Sequence, residues 1–353
     1  MNAPRFVHLR LHSEYSVTDG IVRIDQAVAK AAEYSMPALA LTDNANVFGM
    51  VKFYKTARAA GIKPIIGVDC WIRNDLDREK PSRLLLLCAS SAGYRKLSEL
   101  LSRAWLKNQY RGRAEIGKTW FEEEGSEGLI ALSGAGAGDI GQALGAGNDA
   151  AAARLAEEWE ARFPGRFYLE LQRAGLPHGE PLVARTLHLA GKTQLPVVAT
   201  HPVQFLDAGD FRAHEARVCI AEGNALGDRR RPRHFSPEQY FKSPEQMARL
   251  FADVPQALEN ACEIARRCNL EIGLGKNRLP EFPTPAGVTV DEHLAKEAAR
   301  GLGWRLERLF ADPAERERHA ARYRDRLAFE IKTIVQMGFA GYFLIVADFI
   351  NWA

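Results

Sequence analysis

Seven short, almost wholly apolar runs recur over the first 200 residues, at 6–9, 37–42, 63–68, 83–88, 129–132, 167–171 and 196–199. Helical spacing fills several of the intervals: 24–34 carries Ile24, Ala27, Val28 and Ala31 on one face, 48–60 is closed by Gly61, and 150–163 and 181–189 read the same way. Runs such as Leu84–Leu87 lack in/out alternation, as expected of strands covered on both sides. Strand and helix in alternation restrict the chain to a parallel α/β sheet or barrel. In such folds the functional residues lie where strands end.

Polar residues do collect there. His12 and Asp19 follow the first run, Asp43, Asn44 and Asn46 the second, Asp69 the third, and His201-Pro202 the last. A single Asp after a strand is more often a helix cap or turn former. Histidines and carboxylates from four connections are expected to share one pocket. In the first run, alternation aims His8, Arg10 and His12 to one side and leaves Val7, Leu9 and Leu11 for a core. Two imidazoles with a nearby carboxylate suit a transition metal, but the middle position is a permanent cation and ligates nothing. His8 is read as a structural residue of the strand.

With 353 residues, 46% hydrophobic and 26% charged, about two globular domains are expected. A net charge of +3 neither requires nor excludes an anionic partner. The cysteines at 70, 88, 219, 262 and 268 have no CxxC spacing and an odd count, which favours reduced thiols and a cytoplasmic home. No charged-then-apolar leader and no apolar run near 18 residues is present, so neither secretion nor membrane spanning is expected. The dense cationic run is Asp228-Arg-Arg-Arg-Pro-Arg-His234, which makes Arg229, Arg230, Arg231 and Arg233 candidates for DNA or an acidic partner surface, with a solvated loop as the alternative. Glycines at 134, 136 and 138 lack nucleotide-loop spacing and are read as turns, and no Gly-x-Ser-x-Gly elbow supports a serine triad.

From Thr289 the chain is helical and highly charged, with Tyr323, Leu327, Ile331 and Ile334 on one stripe. It ends on an apolar, aromatic-rich segment from Tyr342 to Trp352, which is expected to pack against further chain.

Phe6 to Gly20, Ala38 to Asp43, Gly61 to Gly67 and Gly128 to Gly134 resemble the polymerase and histidinol phosphatase (PHP) domain, in the version that opens the alpha subunit of bacterial DNA polymerase III. Pro232 to Ser243 resembles the segment near that domain's end, and Met337 to Ile350 resembles the start of the polymerase palm. The resemblance implies a distorted (βα)7 barrel over 1–275, followed over 276–353 by a mainly helical segment that begins a truncated palm. It also implies a damaged metal site. Arg10 stands at the first histidine position, Asn44 at the histidine after Thr42-Asp43, Asp69 at a glutamate and Arg83 at a further histidine. Gly134 lies near the cysteine position, and Pro202 and Gln204 stand where Asp and His are expected.

With those losses no metal is expected, and at most one ion through His12, Asp19, Asp69 and His201. Arg10, with Arg83, is expected to supply the missing positive charge and to pair with Asp19 or Asp69. The implied function is the front part of a replicative DNA polymerase, with the PHP domain as a non-catalytic platform for the proofreading exonuclease. The alternatives are a metal-dependent phosphoesterase or 3′–5′ exonuclease with a reduced site, and a histidinol-phosphatase-like hydrolase. The resemblance places the catalytic magnesium site beyond Ala353. Primer-template DNA, the sliding clamp and other replisome subunits are expected partners of the longer chain, and no cofactor is expected within these residues.

Overall fold

The computed structural model describes residues 6–276 and 280–353. The chain divides into two units, one running to Ile272 and one from Gly273.

Among the described residues, eight strands belong to the first unit: β1 Ala38–Leu41, β2 Lys63–Ile72, β3 Ser82–Cys88, β4 Gln109–Tyr110, β5 Arg113–Ile116, β6 Leu129–Leu132, β7 Phe167–Gln172 and β8 Val197–Thr200. The order is β4-β5-β2-β3-β6-β7-β8, with β1 pairing β2. The first half of β2 runs parallel to β1, Ala38 facing Lys63 and Leu41 facing Ile66. Its second half pairs with β3 on one side and, at Trp71 and Ile72, with β5 on the other. β6, β7 and β8 follow in parallel.

Residues 6–12 join the two ends of this sheet. Ala40 and Thr42 donate their N–H groups to the carbonyls of His8 and Leu11, at 2.9 and 3.0 Å, while His12 N–H donates to Val203 at 3.1 Å. The extended segment therefore lies between β1 and the chain just after β8, closing the strands into a distorted barrel. It is not the regular strand expected at 6–9. The Leu11 N–H goes to the Thr42 hydroxyl at 2.9 Å, where a ladder would supply a backbone carbonyl, and Leu11 makes only an isolated bridge with Val203. His8, Arg10 and His12 are as buried as Val7, Leu9 and Leu11.

Strand direction also departs from the all-parallel expectation. β3 runs against both β2 and β6. Its first residues, Ser82 and Arg83, consequently lie beside the C-terminal end of β2, with Arg83 opposite Trp71. That reversal carries a residue at the start of a strand to the end of the barrel where its neighbours finish.

Helices pack around the strands by apolar stripes. Ile24–Glu33 buries Ile24, Ala27, Val28 and Ala31, and Ser91–Lys107 buries Leu97, Leu100, Leu101 and Ala104. Ser90 caps the latter by accepting from Gly93 N–H. Met50–Ala59 stops at Ala60, and Gly61 takes φ +74°, the left-handed ending that glycine accommodates. The helices expected at 150–163 and 181–189 are Asp149–Arg162 and Gly179–Thr193. The glycine-rich 134–138 stretch is a tight turn leading into Asp139–Gly145.

Among the described residues, the second unit holds three helices, Val290–Leu309, Pro313–Gln336 and Ala340–Trp352. A capping box between Thr289 and Glu292 starts the first, and Asp312 with Pro313 starts the second. Its small core is Leu294, Ala340 and Leu344, with Phe282, Val290 and Ile334 packed against it. On the expected stripe, Leu327, Ile331 and Ile334 are half-buried, whereas Tyr323 is exposed and sits against Phe310. Among the described residues no single helix is long and apolar enough to cross a membrane.

Candidate functional site

At the end of the barrel where β1, β2, β6, β7 and β8 finish, three cationic and three anionic side chains interlock. Arg10 presents its fork to Glu170 of β7, Nε donating to Oε1 at 2.9 Å and Nη2 to Oε2 at 3.1 Å, while Nη1 donates to Asp69 Oδ2. Glu170 accepts further bonds from Gly134 N–H at 3.0 Å, Gln172 Nε2 at 2.8 Å and the Thr200 hydroxyl. Its carboxylate is thus surrounded by donors, as a fully buried charge requires.

His12 joins two carboxylates. Nδ1 lies 2.8 Å from Asp19 Oδ2 and Nε2 lies 3.2 Å from Asp69 Oδ2, so both ring nitrogens carry protons to donate. Burial alone would lower the His12 pKa, but Asp19 and Asp69 outweigh it and raise it to about 9. Asp19 also accepts from the Ser16 hydroxyl at 2.7 Å. Burial would raise both acids, yet the His12 charge holds Asp19 below the usual carboxylate range, and Arg10 and Arg83 do the same for Asp69.

Arg83 completes the cluster. Its guanidinium stacks over Trp71 with the carbon 3.3 Å from the ring centroid, and Nη1 donates to Asn44 Oδ1 at 2.8 Å and to the Asp69 carbonyl at 3.3 Å. The same nitrogen is 3.9 Å from Asp69 Oδ1. Arg10, His12 and Arg83 therefore balance Asp19, Asp69 and Glu170. Asp43 stands beside them and braces the loop at Ser13, accepting from its N–H at 2.6 Å and its hydroxyl at 2.9 Å. Burial raises the Asp43 carboxyl to about 6.

The structure brings Arg10, His12, Asp19, Asn44, Asp69 and Arg83 together, with Asp43 at the edge. Of the two acids expected for Arg10, Asp69 is its partner, and Asp19 pairs with His12. One part of the sequence expectation is corrected. His201 joins a different group: its Nε2 bonds the Glu238 carbonyl at 2.9 Å and its ring is 6.1 Å from that of His8, which packs on Phe6 and Phe241. The turn in which Val203 N–H bonds the His201 carbonyl separates His201 from the pocket and brings in Gln204, whose amide is 3.3 Å from His12 Nδ1. Glu170 was missed by sequence reasoning. The available signal was one acid in the apolar strand Phe167-Tyr-Leu-Glu-Leu171, a place where charge is not found without a partner.

This donor set does not fit a metal ion. The guanidinium of Arg10 fills the space between Asp69 and Glu170, and both His12 nitrogens are protonated toward carboxylates. Among the described residues, no group of three or more His, Cys, Asp or Glu side chains is arranged to hold one. The arginine run behaves unevenly. Arg231 is not a free contact residue, being buried against Glu215 and the Leu226 carbonyl, whereas Arg229, Arg230 and Arg233 are exposed.

Residues 8–174 match the PHP domain model, and residues 292–353 match the bacterial DNA polymerase III alpha NTPase domain. The whole chain is 51% identical over 355 aligned positions to DNA polymerase III subunit alpha of Neisseria meningitidis serogroup A, covering 100% of this chain and 31% of that protein. The corresponding subunit of Pseudomonas aeruginosa is 50% identical over 99% of this chain and 30% of its own length, and that of Escherichia coli K12 is 46% identical over 100% and 30%. The chain thus spans about a third of the length of these relatives. A solved amidohydrolase from Chromobacterium violaceum aligns with TM-score 0.42 and 14% identity over 60% of this chain and 96% of that one. By its two domain matches and its similarity from end to end, the chain belongs with the N-terminal part of the bacterial DNA polymerase III alpha subunits, as a PHP domain followed by the opening of the NTPase domain.

Proposed function

We propose that these residues form the front part of a replicative DNA-directed DNA polymerase, and that their PHP domain is a non-catalytic structural module on which the proofreading exonuclease docks. The polymerase assignment rests on the names of relatives that align with the chain from end to end. The non-catalytic reading rests on the pocket, where Arg10 spans Asp69 and Glu170 and His12 lies between Asp19 and Asp69. Hydrolysis of a phosphoester needs an activated water and charge stabilisation at the leaving oxygen, and the pocket oxygens without a hydrogen bond among the described residues, Asp69 Oδ1 and Gln204 Oε1, are too few to hold an ion that supplies both. Templated synthesis would use magnesium held beyond Ala353, acting on primer-template DNA beside the sliding clamp and other replisome subunits.

Two measurements test this reading. The protein at its full natural length should extend a primed template with magnesium and deoxynucleotides, and failure to do so sinks the polymerase assignment. The same protein should co-elute with the proofreading exonuclease on size exclusion, and should lose that association when the PHP domain is removed. Manganese-stimulated release of nucleotides from a 3′ end, abolished by His12→Ala, would instead favour the reduced-site exonuclease.

A further inference from the structure

We infer that the exposed arm Arg229–Arg233 is a docking point for the phosphate backbone of DNA, reading no sequence. The choice of DNA among polyanions rests on the polymerase reading above. Residues 211–240 carry six arginines and four acids, and each acid is already engaged. Glu215 pairs with Arg231, Asp228 with Arg230, Glu238 with Lys242 at 2.8 Å, and Glu222 accepts from Asn224 at 3.1 Å. Among the described residues Arg229 and Arg233 have no acidic partner, and Arg230, though 3.4 Å from Asp228, is 91% exposed.

The arm is anchored at both ends. Arg231 turns inward to Glu215 and the Leu226 carbonyl, and the Asp228 side chain accepts the Arg230 N–H at 2.8 Å. Beyond it, Phe235 packs edge-on against His214 at 4.6 Å and the Ser236 hydroxyl donates to the Ala174 carbonyl. One arginine thus fixes the loop while its neighbours project. A fixed base lowers the ordering cost of binding, and guanidinium forks match phosphate oxygens in pairs. Phe235 is committed to His214, and of the exposed polar side chains at 229–234 three are guanidiniums and one is the His234 imidazole, so the arm is built mainly for phosphate contact.

The test is binding of a fluorescein-labelled DNA duplex to the full-length protein by anisotropy, over a range of salt concentrations. Each phosphate contact contributes roughly 0.9 to the slope of log affinity against log salt. Arg229→Ala/Arg233→Ala should lower that slope by about 2 and weaken low-salt binding several-fold, while Arg229→Lys/Arg233→Lys should retain most of the slope. An unchanged slope and affinity in the alanine variant overturns the inference. So does a variant that keeps its DNA affinity but loses binding to polyglutamate, which would assign the arm to an acidic protein. Anisotropy needs no catalysis, so a wild-type protein that fails to extend a primer defeats the polymerase reading without deciding the fate of the arm.

Discussion

Arg10 and Glu170 meet as two parallel hydrogen bonds of 2.9 and 3.1 Å across 160 residues of sequence, both side chains buried. The pair ties the segment closing the barrel to β7, the strand beyond β8. The third Arg10 nitrogen takes Asp69, so one cation compensates two buried acids.

Removing Arg10 should therefore cost more than an ordinary core truncation. Arg10→Ala leaves Glu170 and Asp69 buried without the three hydrogen bonds that Arg10 donates to them, a situation worth about 3–5 kcal/mol. Arg10→Met/Glu170→Gln removes the charges in balance and should destabilise by clearly less than the sum of the single variants. Urea denaturation with a double-mutant cycle reads both numbers. An Arg10→Ala loss below about 1 kcal/mol would mean the pair does not organise the pocket.

Stability should fall on both sides of neutrality, for different residues. The His12 pKa is raised from 6.5 to about 9 in the fold, so its contribution is complete below 6.5 and disappears as pH rises through 9. That limb is up to roughly 3 kcal/mol. On the acid side, buried His8 and His214 are lowered to about 4 and His201 is lowered too, so stability drops as pH falls below 6.5. Asp19 and Asp69, held low, add their own loss at lower pH, while Asp43, raised to about 6, acts in the opposite sense. Denaturation midpoints between pH 6.5 and 9 should decline in the wild type and stay nearly flat in His12→Gln. An equal decline in both would remove His12 as the cause.

The barrel was legible where strands are apolar on both faces, as at Leu84–Leu87 and Leu129–Leu132, because period and length suffice there. The direction of β3 was not, since the same leucines suit either neighbour orientation. Arg10, His12, Asp19 and Asp69 were legible because they follow or interrupt apolar runs. Glu170 was hidden because its reason for being buried lies 160 residues away. His201 misled for a local reason: the turn at 201–203 decides whether His201 or Gln204, three residues on, reaches His12.

Arg83 should matter less than Arg10 despite its similar burial. Its loss removes the stacking on Trp71 and the bond to Asn44, but Asp69 keeps Arg10 and His12. Arg83→Met should cost about 1–3 kcal/mol, mostly from the desolvated cation–π contact. It should also change the tryptophan emission, with Trp71→Phe as the control that removes the change. A cost equal to that of Arg10→Ala would show that Arg83 is the principal counter-charge of Asp69.

Gly134 is where the pocket tolerates no side chain at all. Its φ is +78°, and a Cβ there would lie 2.4 Å from the Arg83 carbonyl oxygen, which belongs to strand backbone and has little freedom to retreat. Its N–H also donates to Glu170. Gly134→Ala combines a disfavoured backbone conformation with a clash and a displaced donor, and should destabilise by roughly 2–4 kcal/mol. Gly145, with nothing within 4 Å of its Cβ position and a helical backbone, provides the contrast: Gly145→Ala should be neutral or stabilising. Paired thermal melts measure the difference directly, and similar melting temperatures for the two variants would show that the β6 turn adapts and does not fix Glu170.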